Sequence, residues 1–193
     1  VYQPFGSTAE VLPYLPEGTV YWYREREDRG PLAALALLRA HAYGRMDRLQ
    51  AGLAADPIQE WVAPKEGGHD LLLGVLPATA PGTIKDGGWG ELATEPHTAF
   101  LVRALQTVSE RGRIAMVVPY SWLISTARYN HAIRNDLLGL GVLDTVVQFP
   151  AGLLGAKEEP FALLILKAQL RDGVPPSFDP ERKVRMVMAN RYI

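Results

Sequence analysis

At 193 residues and 48% hydrophobic, the chain is long enough to bury one full core, and its formal net charge of -1 gives it no global field for a polyanion. It contains no cysteine, which excludes disulfides and thiolate metal sites and permits a reducing compartment. No apolar run approaches the ~20 residues that span a bilayer and no secretory leader pattern is present, so a cytoplasmic protein without a membrane partner is expected. The chain opens on Val1 rather than Met, and is read as a fragment of a longer protein.

Val1–Tyr2 opens as a strand, and a small-residue loop follows, leading into a helix that Pro13 and Pro16 keep short or irregular. Thr19 to Tyr23 alternates β-branched and aromatic residues and predicts a second strand, ending at the charged run Arg24–Arg29. Gly30-Pro31 opens the clearest helix, to about Ala42, with Leu32, Leu35, Ala36 and Arg39 on one face and Gly44 as its stop. A short third strand is expected near Met46 to Leu49, and Ala51 to His69 reads as loop. Asp70 to Leu76 is a buried fourth strand stopped by Pro77. Pro81 to Thr94, with four glycines and Trp89, reads as a mobile surface loop, Trp89 being a base-stacking or partner-contact aromatic or a pin for the loop.

Helical spacing of Phe100, Leu101, Ala104, Leu105 and Val108 predicts a helix that Gly112 stops. Ile114 to Val118 then reads as a strand buried on both faces, and Thr126 to Leu138 as a helix with Arg128, Arg134 and Asp136 on its wet side. Thr145–Phe149 and Phe161–Lys167 complete the sheet, the last running antiparallel. Residues 1–170 are taken as the core and 171–193 as a linker with a closing edge strand, wet on one face.

From Asp70 onward this order resembles the catalytic core of type I restriction-modification M subunits, the adenine-N6 DNA methyltransferases. The segments that carry it are Ala99-Phe-Leu-Val-Arg-Ala-Leu105, Gly112-Arg-Ile-Ala-Met-Val-Val-Pro119, Tyr129 to Leu138, Val146-Val-Gln-Phe-Pro150, Phe161 to Lys167 and Val184 to Asn190. The resemblance implies a three-layer α/β sandwich of the Rossmann-like methyltransferase type, with S-adenosylmethionine as cofactor and with DNA and other restriction-modification subunits as partners. It aligns the family's Asp-Pro-x-x-Gly-Ser-Gly-Gly loop with Gln3-Pro-Phe-Gly-Ser-Thr-Ala-Glu10, so Gln3, Gly6 and Ser7 are its cofactor-side candidates and Glu27 its ribose-binding acid. No acid stands near Gly52-Leu53, where the family holds the cofactor's adenine, although Asp56 is close. The family's Asn-Pro-Pro-Phe/Tyr catalytic motif falls on Val75, Leu76, Pro77 and Ala78, which supply neither the acceptor nor the stacking ring.

The resemblance and the departures from it imply a methyltransferase-like domain that is catalytically inactive, a pseudoenzyme that scaffolds or positions DNA. A divergent active enzyme and a ligand-free interaction domain stay open as alternatives. His41, His69, His97 and His131 lack ligand spacing, so no metal is expected. Ser121 and Ser125 lack a nucleophile elbow. Arg24, Arg26, Arg29, Arg39, Arg45 and Arg48 form a local basic excess, either a solvated face or a phosphate track.

Overall fold

The computed structural model describes residues 1–62, 64, 67–77, 95–152, 159–168 and 183–189. Among these residues, eight strands form one sheet. They are β1 (Tyr2–Pro4), β2 (Tyr21–Arg26), β3 (Leu49–Ala54), β4 (His69–Val75), β5 (Val108–Pro119), β6 (Leu143–Phe149), β7 (Phe161–Lys167) and β8 (Arg185–Met188). The helices are α1 (Gly30–Ala42), α2 (Pro96–Thr107), α3 (Tyr120–Ile124) and α4 (Arg128–Gly139). The sheet order is β3-β2-β1-β4-β5-β7-β6-β8, and only β7 runs against its neighbours. This is the expected doubly wound α/β fold with an antiparallel strand near its end. The strand order reverses between β1 and β4, and in such sheets ligands bind beyond the carboxyl ends at that switch point.

Two cores hold the sheet. The larger seats Phe100, Leu101 and Ala104 of α2 and Ile133 and Leu137 of α4 on Leu72, Ile114, Met116, Val118, Leu164 and Leu166. Gly74 permits the close approach, since a Cβ there would lie 2.7 Å from the Phe100 ring. The smaller core sets Ala33, Ala36 and Ala40 of α1 against Tyr21 and Tyr23. Residues alternate faces along a strand, so these tyrosines lie across the sheet from Trp22, which packs on the larger core.

Several boundaries differ from the sequence reading. α2 ends at Thr107 rather than at Gly112, because Val108 is buried and already pairs with His69 in the sheet. Gly112 lies inside β5, where a Cβ would meet the His69 carbonyl at 2.7 Å, so it serves a close approach and not a helix stop. β2 runs through the charged residues to Arg26, and the third strand, expected near Met46 to Leu49, starts at Leu49 and runs to Ala54 through residues read as loop, while Met46–Arg48 form a 3₁₀ turn. The buried side of α1 is its alanine stripe, while Leu35, Leu37 and Leu38 face out. Arg134 is not on a wet face: it donates to the Trp122 carbonyl at 2.6 Å and to that of Ser125, with its guanidinium 5.7 Å from the Trp122 ring. β5 is buried on one face only, since Ala115 and Val117 are half-buried. All four residues of β8 are exposed, so that edge is wet on both faces. The predicted glycine-rich loop with Trp89 and the linker at 171–182 lie outside the described residues.

Candidate functional site at the carboxyl rim of the sheet

The carboxyl ends of β1 and β4 frame an open cleft of about 490 Å³. Its floor is apolar for a reason visible in the register. Val75 pairs with Val117 and Val117 with Leu163, so three adjacent strands place a row of aliphatic side chains on one face. Leu73 and Ala115 form a second row behind it. Gln3, Phe5, Ser7, Glu10, Val11 and Arg29 form the opposite wall, and Leu76 and Pro77 the lip. Gln3 and Ser7 therefore line the same cleft as Val75, Leu76 and Pro77. Gly6 and Glu27 do not line it, and Ala78 lies outside the described residues.

The loop after β1 keeps an unusual backbone. Phe5, Ser7 and Ala9 have φ of 56°, 51° and 55°, the left-handed region that glycine adopts without strain. Internal bonds hold it there. The Gly6 amide donates to the Arg24 carbonyl at 3.2 Å, the Ala9 amide to that of Gly6 at 2.9 Å, and the Tyr23 hydroxyl to that of Ser7. Gly6 itself is fixed by space, because a Cβ would fall 2.2 Å from the Tyr23 ring. Gln3 is buried and its amide oxygen accepts from the Tyr21 hydroxyl at 2.7 Å.

Glu25 is the acid that sequence reasoning missed. It is 0% exposed, and its two oxygens accept from the backbone amides of Ser7 at 3.0 Å and Arg26 at 2.9 Å. The period-two pattern Tyr21, Tyr23, Glu25 was the available signal, hidden by treating 24–29 as one solvated run. Glu27 lies exposed on a 3₁₀ turn, Glu27–Arg29. Asp56 is engaged in its own turn, accepting from the amides of Ile58 at 2.9 Å and Gln59 at 3.3 Å. Leu53 is exposed and Arg24 donates to its carbonyl at 3.1 Å.

The charged groups of the cleft are Glu10 and Arg29. Partial burial pushes the Glu10 carboxyl up, but bonding from Thr8 and the charge of Arg39 outweigh it and hold the group below the usual carboxylate range. Among the described residues the wall thus offers one anion and one cation, and the floor offers no polar side chain. The basic excess is largely spent internally. Arg39 bonds the Thr8 carbonyl at 2.9 Å, Arg45 those of Leu12 and Leu15 at 2.9 and 2.8 Å, Arg26 pairs with Asp28 at 2.7 Å and Arg48 with Asp47 at 2.9 Å. A second polar group, also unforeseen, ties α2, α3 and α4 together. The Thr98 hydroxyl donates to Asn130 at 2.9 Å and accepts from Trp122 at 3.2 Å, while Ser125 accepts from Asn130 and from the Ala127 amide at 3.2 Å.

A family model described as N-6 DNA Methylase matches residues 84–190, more than half of the chain. The chain belongs to the N-6 DNA methylase family. Solved structures agree with its fold. The methyltransferase subunit of a type I restriction-modification system from Streptococcus thermophilus superposes with a TM-score of 0.76 at 20% identity, over 97% of this chain and 42% of that one. The M protein of the type I restriction enzyme EcoKI gives 0.65 at 15% identity, over 98% and 43%. A SAM-dependent methyltransferase from Thiobacillus denitrificans, solved with S-adenosyl-L-homocysteine, gives 0.55 at 12% identity, over 86% and 84%. The chain spans less than half the length of the two type I subunits. No curated protein matches it.

Proposed function

We propose that this chain is the methyltransferase-type domain of a restriction-modification modification subunit, and that by itself it neither holds S-adenosylmethionine tightly nor methylates adenine. The reading rests chiefly on Val75. It stands at the carboxyl end of β4, 50% exposed at the cleft, where the family resemblance calls for an asparagine that accepts from the target amine. An isopropyl group accepts nothing, and its neighbours Val117 and Leu163 offer no substitute. Without a polarising acceptor and a held base, the target nitrogen is neither activated nor aligned.

The cofactor side supports the same conclusion. The residues present do not fit S-adenosylmethionine well. The buried acid at the end of β2, Glu25, already accepts two backbone amides, and Glu10 sets bulk and charge in the wall. Leu53 replaces the acid that would hold the adenine, a loss of about 1.5–3 kcal/mol for one charge-assisted hydrogen bond. That loss alone weakens binding by about ten- to a hundredfold, at about tenfold per 1.4 kcal/mol. The role left is that of a scaffold for other subunits of such a system, in a cytoplasmic setting. With the arginines around β2 committed internally, DNA contact falls to other surfaces or to partner subunits.

A second reading is a divergent but active adenine methyltransferase. The left-handed backbone at Ser7 and Ala9 favours it, since these residues hold a conformation that glycine adopts without strain at positions where the resemblance places glycine. Transfer of a labelled methyl group to mixed-sequence duplex DNA separates the two. The pseudoenzyme reading predicts no label in adenine above a no-protein control, and label there would promote the active-enzyme reading.

A further inference from the structure

Gln3 is a polar residue built into an apolar row. Tyr2 pairs with Leu72 and both belong to the larger core, so Gln3 and Leu73, one residue on, turn to the opposite face of the sheet. Gln3 also pairs with Tyr23, and Leu73 with Ala115, which places Gln3 between Tyr23 and the aliphatic floor of the cleft. Its carboxamide is fixed but only half used. The residue is 8% exposed, and its amide oxygen accepts from the Tyr21 hydroxyl, which has no other acceptor among the described residues. That bond turns Nε2 the other way, and no atom of the described residues accepts from it. Because Gln3 lines the cleft, its two Nε2 hydrogens are left to whatever fills that space.

The charges beside it are answered within the protein. Arg29 stands 3.8 Å from Glu25, and Glu10 stands 3.8 Å from Arg39. A charged group entering the cleft would lose its hydration and find no unmatched counter-charge, whereas a neutral carbonyl gains the Gln3 donor. The floor is also longer than the cleft. Its row runs from Val75 and Val117 through Leu163 to Val147 and Val187, and none of the five is buried. We propose that the cleft holds an uncharged aliphatic peptide segment of a partner subunit. One of its backbone carbonyls accepts from Gln3 Nε2, and a branched side chain lies on Val75, Val117 and Leu163. A peptide meets both demands in one ligand, since its carbonyls are strong neutral acceptors and its side chains leave an extended backbone on alternate sides. The inference rests on the reading that S-adenosylmethionine does not fill this cleft.

An NMR titration of the isotope-labelled chain with acetyl-Val-Leu-Val-amide tests it. Saturating shifts are expected at millimolar peptide for Gln3, Gly74, Val75 and Val117, with the Gln3 side-chain amide protons among the most shifted. The charged analogue acetyl-Val-Asp-Val-amide should bind about tenfold less tightly or worse. Val75→Asp, at an exposed position, should abolish binding with melting unchanged, and Leu138→Asp, at an exposed leucine of α4, should leave it intact. Gln3→Met keeps the bulk without the donor and should weaken binding about two- to tenfold. If that variant does not fold, Val75→Asp decides. The proposal is overturned by an absence of saturable shifts, by shifts outside the cleft, or by undiminished binding of the Asp peptide or by the Val75→Asp chain. Titration with S-adenosylmethionine separates the two readings. Saturation at low micromolar S-adenosylmethionine overturns the reading of the cleft and this proposal with it, whereas silence from both ligands overturns this proposal alone.

Discussion

The same strands of this sheet end in two differently built rims. At the amino rim, Tyr2 stacks on His69 at 5.0 Å and meets Trp61 edge-on at 4.8 Å, and Trp61 in turn reaches Phe100 of the main core at 5.5 Å. Their polar atoms are satisfied, with Trp61 Nε1 donating to Thr107 at 3.0 Å and His69 Nε2 donating to the Val62 carbonyl at 2.8 Å. At the carboxyl rim, three non-glycine residues hold left-handed backbone and an aliphatic row floors an open cleft. One rim is thus closed by packed rings with satisfied polar atoms, and the other is open and held by backbone bonds within its own loop.

Truncation at the two rims should separate them. Phe100→Ala, in the aromatic group and the main core, should cost about 3–5 kcal/mol in urea unfolding. An effect under about 1 kcal/mol would mean that this packing is not what holds the sheet. Glu25→Ala should cost less, about 1–3 kcal/mol, because it leaves the Ser7 and Arg26 amides without their acceptor. Its effect should concentrate in faster hydrogen exchange over residues 5–9, and uniform loss across the sheet would contradict the loop-holding role. Ala9→Gly should stabilise slightly, by about 0.5–1 kcal/mol, as relief at a positive φ outweighs the added freedom of the unfolded chain. Destabilisation there would show that the loop is unstrained.

The smallest effect is titration at the amino rim. Burial pushes the His69 pKa down, with the Val62 carbonyl and Asp70 offsetting it in part. The unfolded chain therefore takes up this proton first, below about pH 6.5, and stability should fall as pH drops from there toward the lower folded value. Above that window the group should contribute no slope. His69→Phe should flatten the profile between pH 5 and 7, and an unchanged profile would remove His69 from the account.

The fold was legible because its signals are periodic and local. The buried runs at 70–76, 114–118 and 161–167 each need a partner strand, and the helical stripe from Phe100 to Leu105 needs the sheet beneath it. What failed was local as well. Val108 is both the last residue of a helical stripe and a good strand former, and pairing with His69 decided for the strand. Glu25 and Arg134 look like surface charges in one dimension, and only the fold brings backbone amides or carbonyls to them. α1 misled for the opposite reason, since its leucine stripe and its alanine stripe both qualify as a buried face, and bulky Tyr21 and Tyr23 leave room only for alanine. At the site, the use of Glu25 by its own loop was not legible, because only the fold brings the Ser7 amide to it.

Restoring the catalytic motif alone, by Val75→Asn with Leu76→Pro and Ala78→Phe, should leave the chain inactive, because the cofactor wall is unchanged. The central claim lies at that wall. Calorimetric titration of the chain with S-adenosylmethionine tests it most directly. The account predicts no saturable heat at micromolar ligand, whereas a dissociation constant in the low micromolar range would contradict it.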